Sequence, residues 1–165
     1  MRRVSMSGFD PRELRDACGR FATGVTVIST RTEDGDHGMT ANAFMSVSLD
    51  PPLITISLDR KSRMLEKVRS SGRYAVNVLA QDMKPLAMHF AGKHDPELVG
   101  VFSERDGLPV IPDALAVFLT DVEQEIEAGD HTLFIGRVTD IGRENGNQPL
   151  VFSGGKFATL ATADE

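Results

Sequence analysis

Short runs of alternating apolar and β-branched residues, each ended by Gly, Asp or Pro, are the feature that most constrains how this chain can fold. A strand buried on one face has this period of two, whereas an amphipathic helix has a period near 3.6. The runs do not alternate regularly with helices, which argues against a βαβ (Rossmann) fold. The pattern predicts a mostly β protein, an antiparallel barrel or sandwich with a few short flanking helices. Seven strands are predicted, over residues 22–30, 39–49, 53–58, 73–79, 115–129, 131–141 and 149–153.

Three short helices are predicted from their end signals, over residues 9–21, 59–72 and 81–92. In the first helix, Asp10 and Glu13 have the spacing of a capping box. Its apolar residues share one helical face with Cys18, which we expect to be a small core residue rather than a reactive thiol. In the second helix, Ser62 is a candidate N-cap and Gly72 ends the helix.

The connections indicate a single domain. Asp34-Gly35 marks a turn over residues 31–38, and residues 107–114 are interpreted as a proline-rich crossing loop. No internal repeat, low-complexity tract or linker interrupts the chain. We therefore expect one domain over residues 1–165, with residues 1–8 flexible.

Composition limits the classes of function. The 165 residues suit one sizeable core, and the net charge of −6 argues against nucleic acid or an anionic membrane as a partner. No run is long enough to span a bilayer, and no apolar segment follows the two N-terminal arginines as it would in a secretory signal. The single cysteine, Cys18, excludes an intramolecular disulfide and a CxxC site, and a cytoplasmic location is the simplest expectation.

Several kinds of catalytic site lack their motifs. The four histidines have neither an HExxH spacing nor a cysteine partner, so no metal site is predicted. There is no GxSxG elbow for a serine nucleophile. There is also no GxxxxGK[ST] loop and no usable GxGxxG for phosphates.

Three segments remain as candidates, each with an ordinary structural alternative. DRKSR (59–63) lies between a strand and a helix start, and is either a cradle for one phosphate or a solvated helix cap. In GDHT (129–132), Asp130 directly precedes His131. Either the carboxylate orients the imidazole and tunes its charge state, or the segment is a plain hairpin turn with an exposed histidine.

The third segment is GMTANAF (38–44) with the strand that follows it. Thr40, Asn42 and Ser46 supply polar groups, and the small residues between them would let a flat heteroaromatic ligand approach the backbone. The alternative is a bulged strand with a polar outer face.

Taken together, these segments resemble the flavin reductase-like family, whose fold is the FMN-binding split barrel. The resemblance rests on FATGVTVIST, GMTANAFMSVSLDPPLITISLDRKSR, SGRYAVNVLA, MHFAG, AGDHTLFIGRV and PLVFSGGKF, in that order along nearly the whole chain. One departure is Met64, where the family often has Thr after Ser-Arg.

The resemblance implies a set of site residues. His131 is implied as the catalytic residue that seats the nicotinamide, with Asp130 beside it. Implied flavin contacts are Gly38, Met39, Thr40, Ala41, Asn42, Ala43, Ser46, Ser57, Leu58, Asp59, Lys61, Ser62, Arg63, His89 and Phe90.

The resemblance also implies an activity. The chain is expected to reduce FMN or FAD with NADH or NADPH, as a homodimer, and to supply a partner flavin-dependent monooxygenase. Two other functions stay open from the sequence. One is a flavoprotein whose tightly bound FMN acts directly on an organic substrate, and the other is a non-catalytic flavin-binding protein.

Overall fold

The computed structural model describes residues 8–144 and 146–161, so all but the last residue of the stretch 1–8 lies outside the described residues. The helices are α1 (Pro11–Cys18), α2 (Arg63–Ser71) and α3 (Lys84–His89), the last preceded by a 3₁₀ turn at Gln81–Met83. The strands are β1 (Thr23–Gly24), β2 (Thr26–Thr32), β3 (Gly35–Ala41), β4 (Phe44–Leu49), β5 (Pro52–Asp59), β6 (Arg73–Val78), β7 (Ser103–Arg105), β8 (Leu108–Val110), β9 (Ala116–Ala128), β10 (His131–Arg143), β11 (Leu150–Ser153) and β12 (Lys156–Thr159). The prediction of a mostly β chain with three short helices is confirmed. No helix within the described ranges has the length and hydrophobicity needed to cross a bilayer.

The strands form three antiparallel sheets. The main sheet has seven strands in the order β3-β2-β6-β9-β10-β5-β4. A three-stranded sheet has the order β1-β11-β12, and β7 pairs with β8 in a small hairpin.

The main sheet is strongly curled. Its outermost strands, β3 and β4, are consecutive in the chain and are joined by Asn42 and Ala43 alone. Three Cα steps span at most roughly 11 Å, whereas seven flat strands would extend over roughly 29 Å. The two edges must therefore approach each other at this link.

The core lies on both faces of the main sheet. Successive residues of a strand point to opposite faces. Accordingly, Val27 and Ala75 belong to a cluster under α3 and the small sheets, whereas Ile28 and Val76 belong to a cluster with α2. The neighbouring strands β2 and β6 are thus buried on both faces.

The helix ends follow their sequence signals, but α1 does not pack as expected. Asp10 and Glu13 form the capping box, Ser62 caps α2, and Gly72 ends α2 in the left-handed conformation with φ of 69°. The expectation that Cys18 is a core residue is wrong, because the thiol is exposed and α1 has no buried residue.

Two predicted strands are each divided in the structure. Residues 22–30 contain β1 and β2, which belong to different sheets, and residues 39–49 are split between β3 and β4. The turn predicted over 31–38 is confined to Glu33–Asp34, because Thr32 and Gly35 already pair across the hairpin. Alternation continues across such breaks, so the pattern alone does not reveal a change of sheet.

Two segments interpreted as loop or tail contain strands. Residues 107–114 include β8, and the tail after residue 153 includes β12. The strand predicted over 149–153 does not close the main sheet but joins β1 and β12 instead. These strands are only 3–4 residues long, and Pro109 weakens the sequence signal in one of them.

Substituting Gly136 with Ala should destabilise the fold by about 1–3 kcal/mol, because overpacking a buried site forces its neighbours to move. A Cβ there would lie 2.6 Å from the Tyr74 hydroxyl and 2.8 Å from Thr120 Cβ. Urea unfolding followed by circular dichroism measures the change. Gly24→Ala is the control, because nothing lies within 4 Å of its added Cβ. Equal unfolding midpoints for the two variants would contradict this packing.

Candidate functional site

A cavity of about 530 Å³ lies where β3, the first turn of α2 and the end of α3 meet. It joins three segments that are far apart in sequence and that were each predicted to contact a flavin. These predicted residues are Gly38, Met39, Ser62, Arg63, His89 and Phe90. The other lining residues are Asp36, His37, Met64, Lys67, Gly92 and His94. The volume falls in the range of about 300–1,000 Å³ that is usual for small-molecule sites.

The start of α2 is positioned by the turn before it. Asp59 Oδ1 accepts a hydrogen bond from the Lys61 N–H at 2.8 Å, and its main-chain oxygen accepts one from the Ser62 N–H at 2.9 Å. Ser62 Oγ accepts from the Met64 N–H at 3.1 Å and donates to the Met39 sulfur at 3.3 Å. Sulfur is a weak acceptor, so a phosphate oxygen could take its place.

The cavity is basic although the whole chain carries a net charge of −6. Arg63 and Lys67 are four residues apart on α2 and therefore lie on the same side of the helix. Neither forms an ion pair with any residue in the described part of the chain. Asp36 also lines the cavity, but its carboxylate pairs with Arg31 at 2.7 Å. The arrangement favours an anionic ligand.

His37 is a lining residue that sequence reasoning left out of the site. Its Nε2 lies 2.8 Å from Thr32 Oγ1 and 3.2 Å from Lys67 Nζ. Burial and the Lys67 charge lower the pKa of His37, which favours the neutral imidazole, and Nε2 then accepts a hydrogen bond from the Lys67 ammonium. No local sequence signal links Lys67 to His37, because the two side chains meet only through the packing of α2 on β3.

Thr40 holds α3 against β3. Its N–H donates to the Phe90 main-chain oxygen at 3.1 Å, and its hydroxyl donates to the Ala87 oxygen at 2.6 Å. A Cβ at Gly38 would lie 2.7 Å from the Phe90 ring and 2.9 Å from Phe102. Gly38 therefore makes room for these two rings, and the predicted close approach of a ligand to its backbone stays a prediction.

His89 has a defined hydrogen-bonding state. Its Nδ1 accepts from the Asp95 N–H at 2.9 Å, so the neutral ring carries its proton on Nε2. The His94 ring lies beside it, with ring centroids 4.6 Å apart. The two imidazoles give the cavity an aromatic wall.

The link between β3 and β4 is exposed. Asn42 and Ala43 are both exposed, and their main-chain oxygens accept from Phe44 at 2.9 Å and Ser57 at 3.2 Å. Their N–H groups donate to no acceptor within residues 8–144 and 146–161. These two donors are available to a ligand, unlike the N–H of Thr40.

The remaining predicted contacts are spread over three strands. The Ala41 oxygen accepts from the Thr26 hydroxyl at 2.6 Å, and Ser46 is exposed on β4. Ser57 is half-buried on β5. The Leu58 side chain is buried in the core, so it could contact a ligand only through its backbone.

The Gly-Asp-His turn lies beside the start of α2. His131 opens β10 and pairs with Asp59 of β5, and the Arg60 N–H donates to the Asp130 oxygen at 3.0 Å. His131 Nδ1 lies 2.8 Å from Asp130 Oδ1, and the hydrogen bond and charge of His131 lower the pKa of Asp130. Because a carboxylate only accepts, Nδ1 donates and Nε2 of the neutral ring is left to bond a ligand.

The described ranges contain no group of three or more His, Cys, Asp or Glu residues that could hold a metal ion.

The chain is similar to known proteins over most of its length. A family described as "Flavin reductase like domain" matches residues 18–161. An NADH-dependent flavin reductase of a Rhodococcus species is 46% identical over 154 residues, which are 91% of this chain and 86% of that protein. The solved structure of the flavin reductase PheA2 has a TM-score of 0.88 and 54% identity, covering 93% of this chain and 100% of that chain. The styrene monooxygenase flavin reductase (SMOB) of Pseudomonas putida S12 has a TM-score of 0.83 and 38% identity, covering 91% and 99%.

Proposed function

Because the chain belongs to the flavin reductase-like family, we propose that it is a flavin reductase that transfers a hydride from NADH or NADPH to FMN or FAD. The observation that carries this proposal is the cavity that joins Gly38–Met39, Ser62–Arg63 and His89–Phe90. Ring, phosphate and tail contacts of a flavin were expected at these three segments.

The residues present fit the phosphate end of a flavin nucleotide. Arg63 and the Ser62 hydroxyl line the cavity, and Ser62 donates to a sulfur that a phosphate oxygen can replace. The first N–H groups of α2 and the positive end of its dipole add to the attraction, with Lys61 beside them. Charge-assisted hydrogen bonds from this set would hold a phosphate more firmly than neutral ones.

The exposed N–H groups of Asn42 and Ala43 fit the polar rim of a flavin ring. A bound flavin supplies the redox chemistry by accepting the hydride at N5. We assign to these two donors the stabilisation of negative charge on the pyrimidine edge of the ring. We assign to Thr40 an indirect role, because its hydrogen bonds position Phe90 and α3 beside the cavity.

We assign to His131 the seating of the nicotinamide. Asp130 fixes the orientation of the imidazole through the 2.8 Å hydrogen bond and leaves Nε2 to bond a carboxamide. This role requires no proton transfer by His131.

We propose that the protein acts as a homodimer. Leu49 on β4 is 96% exposed and Phe21 after α1 is 81% exposed, and α1 itself has no buried residue. Exposed apolar surface of this kind commonly marks an interface. A second copy covering it would also bury Cys18.

We further propose that the curled main sheet is the split barrel expected from the family. The two-residue link between the outer strands supports this closure. The similar protein SMOB is named as the flavin reductase of a styrene monooxygenase. This similarity supports our proposal that a partner flavin-dependent monooxygenase receives the reduced flavin.

The purified protein should oxidise NADH or NADPH only when FMN or FAD is added. The absorbance of the reduced nicotinamide measures the rate, with riboflavin as a third acceptor. Absence of flavin-dependent oxidation with both nucleotides would rule out the reductase function. Flavin that stays with the protein through gel filtration would favour the tightly bound flavoprotein instead.

Arg63→Ala should weaken the binding of FMN by about tenfold or more and leave riboflavin nearly unchanged, because only FMN carries the phosphate. Titration calorimetry measures both affinities. Arg137→Ala is the matched control, since Arg137 pairs with Glu123 on the β9–β10 hairpin at 3.0 Å. An equal loss for FMN and riboflavin would show that Arg63 does not bind the phosphate.

His131→Ala should raise the KM for NADH by about threefold to tenfold, the cost of one neutral hydrogen bond, with little change in flavin affinity. Steady-state kinetics at saturating flavin measure it. Arg60→Ala is the control, because it alters the same turn and leaves the Asp130–His131 pair in place. An unchanged KM and kcat in His131→Ala would remove the assigned role.

A further inference from the structure

A groove lined by lysines lies between α3 and the start of β12, separate from the cavity described above. It consists of two adjoining cavities of about 480 and 400 Å³ that share Lys84, Met88 and Lys93. No residue of the candidate flavin cavity lines it. We call it the lysine groove, and its principal residues are Lys84, Pro85, Met88, Lys93, Lys156 and Phe157.

The groove is a positive surface on an acidic protein. Three of the five lysines of the chain line it, although the net charge is −6. Within residues 8–144 and 146–161, none of these three lysines forms an ion pair. Asp95 also lines the groove, but its carboxylate accepts a hydrogen bond from the Glu97 N–H at 3.0 Å. The three ammonium groups therefore attract carboxylates from another molecule.

The groove also has an apolar side that is fixed in place. The half-buried ring of Phe157 packs against Phe152, with ring centroids 5.5 Å apart. The Lys84 ammonium lies 5.8 Å from the centre of the Phe157 ring, and the thioether of Met88 adds adaptable contact area. An apolar side chain can therefore contact the ring while a neighbouring carboxylate meets the ammonium.

The chain after α3 passes back and forth between the groove and the candidate flavin cavity. Met88 lines the groove, whereas the next two residues, His89 and Phe90, line the cavity. Gly92 then lines the cavity and Lys93 the groove. A protein bound in the groove would consequently lie beside the cavity to which we assign the flavin.

We propose that the lysine groove docks the partner monooxygenase by holding an acidic segment of that protein that carries an apolar side chain. The inference rests on the proposed function and names the surface at which the two proteins meet. Lysines at the edge of an interface mainly accelerate encounter, so the contact is transient and weakens with salt. Nucleic acid and anionic lipid suit the groove less well, because such extended polyanions would also meet the surrounding acidic surface.

The test uses a fluorescein-labelled peptide of five acidic residues around one phenylalanine, with fluorescence anisotropy as the measure of affinity. The double variant Lys84→Gln/Lys93→Gln should weaken binding by about tenfold, the loss of two exposed ion pairs. The matched control Arg137→Gln/Arg143→Gln removes the same charge from β10 and should stay within about twofold of wild type. Lys84→Arg/Lys93→Arg should also stay within about twofold, because it keeps both charges.

Two altered peptides separate the charge from the apolar contact. Replacing the acidic residues with their amides should abolish measurable binding, and replacing phenylalanine with alanine should weaken it by about threefold or more. NADH oxidation with FMN should be unchanged in Lys84→Gln/Lys93→Gln, because neither lysine lines the candidate flavin cavity. The same assay shows that the variant is folded.

Each result decides one proposal. Equal peptide binding by the lysine and arginine double variants, or binding that ignores the phenylalanine, would overturn the docking inference. Lysine-dependent binding of phosphatidylcholine–phosphatidylserine vesicles or of single-stranded DNA, without peptide binding, would overturn it as well. If wild type binds the peptide through the two lysines but never oxidises NADH with a flavin, the acidic-segment site stands and only the reductase function fails.

Discussion

The two-residue link Asn42–Ala43 is the constraint on which the site depends. It joins strands at opposite edges of a seven-stranded sheet and therefore forces the sheet to curl. Both residues of this link are exposed, and their N–H groups find no acceptor within the described chain. The link between the two edge strands thus also carries donors that a ligand can use.

Strand register then decides which motifs become neighbours. The pairing of His131 with Asp59 places the Gly-Asp-His turn beside the connection that leads into α2. A slip of one residue would turn Leu58 and Phe134 out of the core, so burial of these side chains fixes the pairing. Core packing on β5 and β10 therefore sets the distance between the two polar motifs, although neither motif contributes to the core.

The sequence predicts local features of this fold well and long-range ones poorly. Asp10, Ser62 and Gly72 act at helix ends as expected, because capping depends on residues within a single turn. The division of residues 22–30 between two sheets could not be predicted, because alternation is the same on both sides of Val25. Cys18 shows a further limit, since an apolar helical face indicates burial but does not say whether the covering surface belongs to the same chain.

For the candidate site, the ligand contacts expected of Gly38 and Thr40 stay predictions. The structure adds structural roles that the sequence did not indicate, since Gly38 makes room for the rings of Phe90 and Phe102 and Thr40 ties α3 to β3. Lys67 and His37 escaped notice because their proximity arises only from the packing of α2 on β3.

The groups that remain free decide what the site can bind. Many polar atoms near the cavity are already paired within the described chain: the Thr40 hydroxyl, the Ala41 oxygen and the Asp36 carboxylate all have protein partners. The groups that remain are donors and cations: the N–H groups of Asn42 and Ala43, the Arg63 guanidinium, and Lys67, whose hydrogen-bond partner is an imidazole and not a carboxylate. A ligand that satisfies them must present acceptors along a flat rim and negative charge at its tail. That requirement follows from which polar groups of the described chain already have partners, and it does not depend on a resemblance to other proteins.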